Sequence, residues 1–140
     1  MVSRANDTLL RRSLLANALF TFLCGGGLVL ASSPLAEITG GVASIHLIII
    51  GVVLLLYALD LGRTALGATL PRGRVFYFIV MDALWVAGSA FVLWGVSVPF
   101  TPTGRWIVLV IAVLVGFFAV LQYMGMRHVP RKEMETARSA

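Results

Sequence analysis

One carboxylate, Asp82, interrupts an apolar part of the sequence. It lies in the segment MDALW (residues 81–85), and an uncharged run continues from there to Gly104. In hydrocarbon, an ionised side chain costs roughly 2.5–3.5 kcal/mol on insertion scales. Asp82 must therefore find hydrogen-bond partners inside a helix bundle or become protonated. The position predicts a buried structural network, or a site for a proton, a cation, a head group or a small ligand.

Six further polar residues are expected to surround Asp82 in the same half of the membrane. They are Asn17, Tyr57, Asp60, Arg63, Gln122 and Tyr123. Arg63 lies where a long basic side chain can reach back towards the cluster from the interface. The first interpretation is a hydrogen-bond network that fixes the helix register, and the second is a titrating or ligand-binding Asp82. For Asp60, an ordinary salt bridge with Arg63 or Arg127 is a sufficient explanation.

His46 is the other residue whose chemistry suggests a ligand. It lies near the opposite end of its apolar run, within reach of Glu37. A haem takes two axial ligands in a bis-histidine site, and His128 is predicted on the other side of the membrane. An internal bis-histidine site is therefore not expected, whereas His46 alone could ligate a pigment or haem, contact a partner or pack at the interface.

The remaining motifs argue against an enzyme. The sequence lacks a Ser/His/Asp set, an HExxH motif and any cluster with metal-ligand spacing, so no catalytic residue, metal or cofactor is predicted. Its single cysteine, Cys24, excludes an internal disulfide.

Composition and hydrophobic runs predict the elements that position these residues. The 140 residues are 59% hydrophobic and 12% charged, against about 25% charged in soluble domains. Four apolar runs approach the roughly 20 residues that a membrane-spanning helix needs. The predicted spans are about 13–32, 42–61, 75–96 and 106–126, and Pro34 is expected to end the first and open a loop to Gly41. The fold class is all-α: one transmembrane four-helix domain over 1–140, with 127–140 as a cytoplasmic tail.

The first apolar run has an alternative interpretation as a signal peptide. Arg11 and Arg12 precede it, and ASS (residues 31–33) is a passable cleavage site. The run is longer than the 7–15 apolar residues of a signal peptide. We therefore expect it to be retained as a span.

The basic residues predict an orientation. Ten of the 11 Lys and Arg residues fall on one predicted side, and Arg105 alone falls on the other. Cytoplasmic loops are enriched in Lys and Arg, so both termini and the loop 63–74 are expected in the cytoplasm of a bacterial inner-membrane protein. The net charge of +5 is spread over short blocks, which argues against nucleic-acid binding.

An internal repeat appears when the chain is aligned with itself at an offset of 65 residues. Residues 16–34 then fall on 81–99, with Asn17 on Asp82 and Pro34 on Pro99. Two tandem helical hairpins of this kind would be related by a pseudo-twofold axis along the membrane normal. Asn17 and Asp82 would then be equivalent positions able to share a hydrogen bond. Chance similarity between apolar segments is the alternative.

Three segments carry a resemblance to a family. LDLGRTALG, MDALWVAGSAFVLW and TPTGRWIVLVIAVLVGFFAVLQYMGMRH resemble small four-span bacterial integral membrane proteins to which no activity is attached. The resemblance covers most of the chain and implies the four-span fold, but it transfers no functional residue. The chain lacks the first-span glutamate of small multidrug transporters and the Asn and Phe motifs of fluoride channels.

Three functions remain open from the sequence. The first is a structural or accessory subunit that associates with itself or with a larger membrane complex. The second is a small oligomeric transporter or channel with Asp82 as its proton or cation site. The third is a lipid- or pigment-binding subunit that uses His46.

Overall fold

The computed structural model describes residues 2–95 and 97–128. Those residues form helices joined by short turns. In chain order the helices are α1 (Val2–Leu30), α2 (Ser32–Thr39), α3 (Ser44–Leu66), α4 (Arg72–Ala90), which a π-helical turn (Phe91–Gly95) continues, and α5 (Pro102–His128).

Within the described residues, four helical segments are long and apolar enough to cross a membrane. They are Thr8–Leu30, Ser44–Leu66, Arg72–Gly95 and Pro102–Arg127. The prediction of an all-α membrane four-helix bundle is therefore confirmed. Each helix extends beyond its predicted span at one end at least, most of all α1, which already begins at Val2. At their other ends α1 stops at Leu30 and α3 begins at Ser44, each two residues inside the predicted span. Most of the predicted tail, 129–140, lies outside the described residues.

The bundle consists of two helical hairpins that meet through α1 and α5. α1 packs along α3, α4 packs along α5, and α1 also contacts α5. α1 and α3 approach each other closely, so that a Cβ added to Gly25 or to Gly51 would lie 2.8 Å from the backbone oxygen of the other. Small residues permit such close backbone contact between membrane helices. α3 and α4 lie on either side of a cleft.

The end of the bundle that holds the start of α1 and the end of α5 is well packed, and we call it the basic end. Leu10 lies against Gly125, so the two segments are on the same side. Leu10, Leu14 and Phe78 are fully buried in the core there. Helix C-termini leave carbonyl groups without intrahelical partners, and one arginine satisfies those of α3. Arg11 donates hydrogen bonds to the carbonyl oxygens of Ala65 (2.8 Å), Gly67 (2.6 Å) and Ala68 (3.2 Å).

The opposite end corrects the predicted loop after Pro34. The helix breaks at Ala31, and residues Ser32–Thr39 form the short helix α2. Pro34 lies in the first turn of α2, where an amide hydrogen has no intrahelical acceptor and proline is tolerated. Gly40 ends α2 with φ of 76°, a conformation that glycine adopts readily. The amide of Thr101 donates to the carbonyl oxygen of Thr39 at 2.9 Å, and this hydrogen bond joins the end of α2 to the turn before α5.

Candidate functional site

The candidate site is centred on the Asp82 carboxylate of α4, which is only 3% exposed. One side chain from each of the other three spans donates a hydrogen bond to it. Asn17 Nδ2 (2.7 Å) and Gln122 Nε2 (3.1 Å) donate to Oδ2, and the Tyr57 hydroxyl donates to Oδ1 at 3.0 Å. The network therefore connects all four spans through a single carboxylate.

Asn17 is held in the orientation that presents its amide hydrogens to Asp82. The side chain is fully buried in α1. One turn further along, the Thr21 hydroxyl is 3.2 Å from Asn17 Oδ1 and donates to it. With its oxygen occupied in this way, the amide turns its nitrogen towards the carboxylate. The predicted contact between Asn17 and Asp82 is thus present.

The Tyr57 hydroxyl has two acceptors within reach. It lies 3.0 Å from Asp82 Oδ1 and 3.3 Å from the carbonyl oxygen of Phe78. A hydroxyl has one proton to donate and lone pairs that accept. With Asp82 ionised, Tyr57 donates to the carboxylate. With Asp82 protonated at Oδ1, the acid can donate to Tyr57, which then donates to Phe78. The same geometry therefore accommodates both protonation states.

Gln122 donates a hydrogen bond to Asp82, but its own side-chain carbonyl has no described partner. The residue is fully buried, and among the described atoms its Oε1 has no hydrogen-bond partner. A buried polar atom without a partner costs about 1–3 kcal/mol. Turning the amide over would aim this carbonyl at the carboxylate oxygen, so the observed orientation is the one that an ionised Asp82 requires.

Asp60 forms a salt bridge, but its partner differs from the expected one. The carboxylate pairs with Arg74 of α4, not with Arg63 or Arg127. Both partners are about half exposed, at 42% and 50%, and exposed pairs of this kind contribute little to stability. The pair joins the last turns of α3 to the first turn of α4. The sequence did not indicate Arg74 as the partner of Asp60. The two residues lie on different helices, and their pairing depends on how those helices are arranged.

Two residues of the predicted cluster lie outside it. Arg63 is exposed and is not one of the described hydrogen-bond donors to Asp82. Tyr123 is 46% exposed, and the guanidinium of Arg127 lies over its ring, 5.6 Å from the centroid. This is a cation–π contact at the bundle surface.

His46 is also remote from the network. It is exposed and lies in the first turn of α3, whereas Tyr57 lies in the half of that helix nearer the basic end. The described residues contain no group of three or more His, Cys, Asp and Glu side chains that could hold a metal ion.

Sequence reasoning missed the cleft between α3 and α4, which reaches Asp82. It has a volume of about 350 Å³, and α1 and α5 form its floor. Thr21, Tyr57, Tyr77 and Trp85 are among its lining residues, which include no Lys, Arg or His. The spacing of two helices that are adjacent in sequence cannot be obtained from hydrophobic runs, so no signal in the sequence indicated this cavity.

The fold and the site together define a small multi-pass membrane protein with a polar network inside its bundle. Comparisons with protein families, curated proteins and solved structures gave no match. Any function must therefore be argued from the site itself.

Proposed function

We propose that this chain is a non-enzymatic structural or accessory subunit of a bacterial inner membrane, which associates with a larger membrane complex or with itself. The observation that carries the proposal is the hydrogen bonding of Asp82 by all three other spans. A buried polar group of this kind specifies helix register, because any rotation leaves it without partners in hydrocarbon. The network makes the bundle a defined unit.

The outer surface of that unit suits contact with lipid and with other spans. Large apolar side chains are exposed on each spanning helix; Leu19, Val53, Leu84 and Phe117 are each more than half exposed. Such side chains pack equally well against acyl chains and against a neighbouring membrane helix.

Both termini are proposed to face the cytoplasm. The start of α1 and the end of α5 lie on the same side, as the contact between Leu10 and Gly125 requires. Basic side chains at that end include Arg11, Arg63 and Arg74, whereas Arg105 lies at the opposite end. The positive-inside rule supports this orientation.

We also propose that the chain is a duplicated hairpin. Asn17 and Asp82, which are 65 residues apart, are hydrogen-bonded to each other. Tyr57 and Gln122 are separated by the same offset, and both donate to Asp82. Further pairs at this offset are buried in both copies: Leu10 with Val75, Ser13 with Phe78, Leu47 with Ala112 and Leu61 with Met126. These pairs support the proposed duplication, although Ala18 with Ala83 and Ala58 with Tyr123 differ in burial.

The test of the accessory role is purification of the tagged chain from its native membrane in a gentle detergent, followed by mass spectrometry of co-eluting proteins. A stoichiometric partner is expected, and Asp82→Asn should still fold and retain it, because an amide can keep part of the network. Elution as a monomer without a partner would contradict the proposal.

A second candidate is a transporter or channel in which Asp82 is the proton or cation site. It is favoured by the hydroxyl of Tyr57, which serves both protonation states of the carboxylate. A homo-oligomer without other proteins would favour this candidate. Its test is proton-coupled flux in proteoliposomes, which Asp82→Asn should abolish and Glu37→Gln, at the opposite end of the bundle, should leave unchanged.

A further inference from the structure

The α3–α4 cleft is shaped like a site for a molecule that enters from the lipid. Its walls come from α3 and α4, and its volume of about 350 Å³ falls within the range of small-molecule pockets. Leu56 on one wall is 63% exposed and Tyr77 on the other is 48% exposed. The cavity therefore opens sideways towards the surface that faces hydrocarbon.

At the inner end of the cleft, the carboxylate of Asp82 can accept one more hydrogen bond. A carboxylate offers about four lone-pair sites. Asn17 and Gln122 occupy two on Oδ2 of Asp82, and Tyr57 occupies one on Oδ1. The remaining site, on Oδ1, can accept one more hydrogen bond. Because Asp82 and Tyr57 both line the cleft, a donor would reach that oxygen from the cavity.

The charge of the lining specifies what kind of donor fits. The three described donors to Asp82 are all neutral, and the lining residues include two carboxylates, Asp60 and Asp82, but no basic side chain. Arg74 pairs with Asp60, which leaves the charge of Asp82 without a counter-charge in the cleft. A cation would supply it, and a bare metal ion would find few oxygen ligands there. The aromatic rings of Tyr57, Tyr77 and Trp85 also favour a cation over an anion.

We propose that the cleft binds an amphipathic monovalent amine. Its protonated nitrogen donates to Asp82 Oδ1, and its apolar body lies between α3 and α4 and extends into the hydrocarbon. An anionic lipid is repelled by the carboxylate of Asp82, and a neutral acyl chain makes no use of it. The proposal does not depend on the accessory role, since a subunit of a complex and an independent protein can both hold such a ligand.

The test uses Trp85 as a reporter, because it lies in the cleft one turn beyond Asp82. Trp94→Phe and Trp106→Phe remove the other two tryptophans, which lie at the outer end. The protein is placed in nanodiscs of zwitterionic lipid and titrated with dodecylamine that carries a nitroxide quencher. Dodecanol with the same nitroxide is the uncharged probe. The amine should quench Trp85 saturably, with an affinity about tenfold or more above that of the alcohol, because a charge-assisted hydrogen bond forms only with the amine.

Three variants make the result specific. Asp82→Asn should reduce the affinity for the amine to that of the alcohol, while Glu37→Gln, which removes an equal charge outside the cleft, should leave it unchanged. Val53→Phe should also abolish saturable quenching, because it fills the cavity without touching the network, and it keeps the test valid should Asp82→Asn fail to fold. Equal affinities for amine and alcohol, or an amine affinity that survives Asp82→Asn or Val53→Phe, would overturn the proposal.

Discussion

α1 and α3 approach each other closely at Gly25, and replacing this residue with alanine should destabilise the fold. The new Cβ would lie 2.8 Å from the backbone oxygen of Gly51 and 3.1 Å from side-chain carbons of Leu54 and Leu55. Ordinary van der Waals contact begins at 3.4 Å, so α1 and α3 must separate by about 0.6 Å. A backbone oxygen cannot rotate away as a side chain can, so the strain falls on the whole interface.

The expected cost follows from two opposing terms. Overpacking of this kind costs typically 1–3 kcal/mol, and alanine regains about 0.8–1 kcal/mol of helix propensity over glycine. The net loss in the free energy of unfolding should therefore be up to about 2 kcal/mol, and relative to an alanine that meets no neighbour it should be about 1–3 kcal/mol. Gly26→Ala and Gly27→Ala are matched controls in the same helix, because a Cβ at either position meets nothing within 4 Å. They should be neutral or stabilising.

Reversible unfolding in mixed micelles at increasing dodecyl sulfate, followed by tryptophan fluorescence, measures these differences. Gly25→Ala should unfold at a lower dodecyl sulfate fraction than the wild type, and the two controls at an equal or higher one. If all three variants have the same midpoint, α1 and α3 do not pack through Gly25 as the structure describes, and the positions of Asn17 and Tyr57 around Asp82 would also be in doubt.

Two further predictions use the same assay. Arg11→Ala should lower the free energy of unfolding by about 1–2 kcal/mol, because it removes three hydrogen bonds to carbonyls at the end of α3. Its control is Arg12→Ala, which changes an exposed neighbour and should have little effect. Equal losses of stability in the two variants would refute the capping role of Arg11. Asn17→Leu should lower the free energy of unfolding by about 1–3 kcal/mol more than Gln122→Leu does. Asn17 both donates to Asp82 and accepts from Thr21, whereas leucine at position 122 also removes a buried carbonyl that has no described partner. The reverse order would contradict the described network.

Hydrophobic length was enough to predict the spans, because a hydrocarbon layer imposes nearly the same requirement on every crossing helix. The position of Asp82 inside an apolar run was enough to predict that it would be buried with polar partners, since an unpartnered charge in lipid is costly in any fold. One partner, Asn17, was predicted from the proposed repeat, and its hydrogen bond to Asp82 is present. These inferences rest on properties of the solvent and of the chain alone.

Three features could not be predicted without the rotation and spacing of the helices: the inward residue of α5, the partner of Asp60 and the cleft. Gln122 and Tyr123 were both predicted in the cluster, but adjacent residues on a helix point about 100° apart, so only one faces inward. Gln122 is fully buried and Tyr123 is exposed. Likewise, the partner of Asp60 is decided by which helix end lies beside it. The cleft has no sequence signature at all, because it is a gap between two helices.

Under the proposed duplication, the cleft is the place where the two halves differ. The α1–α5 interface and the α4–α3 interface both lie between the two hairpins and are equivalent under the offset of 65 residues, yet α1 and α5 are packed together while α4 and α3 are apart. Gly125 in the closed interface lets Leu10 approach its backbone. The equivalent position in the open interface, 65 residues earlier, is Asp60.

A glycine at position 125 leaves room for the neighbouring helix, whereas a carboxylate at position 60 occupies that room. The Asp60 side chain reaches across to Arg74, so an ion pair bridges the two helices at this position. Along the same open interface, α4 carries Asp82 at the position where α1 carries Asn17, and two carboxylates in contact there would repel each other. If the chain is a duplicated hairpin, two differences between equivalent positions, Asp60 against Gly125 and Asp82 against Asn17, account for a cavity that ends at a carboxylate in place of a second packing contact.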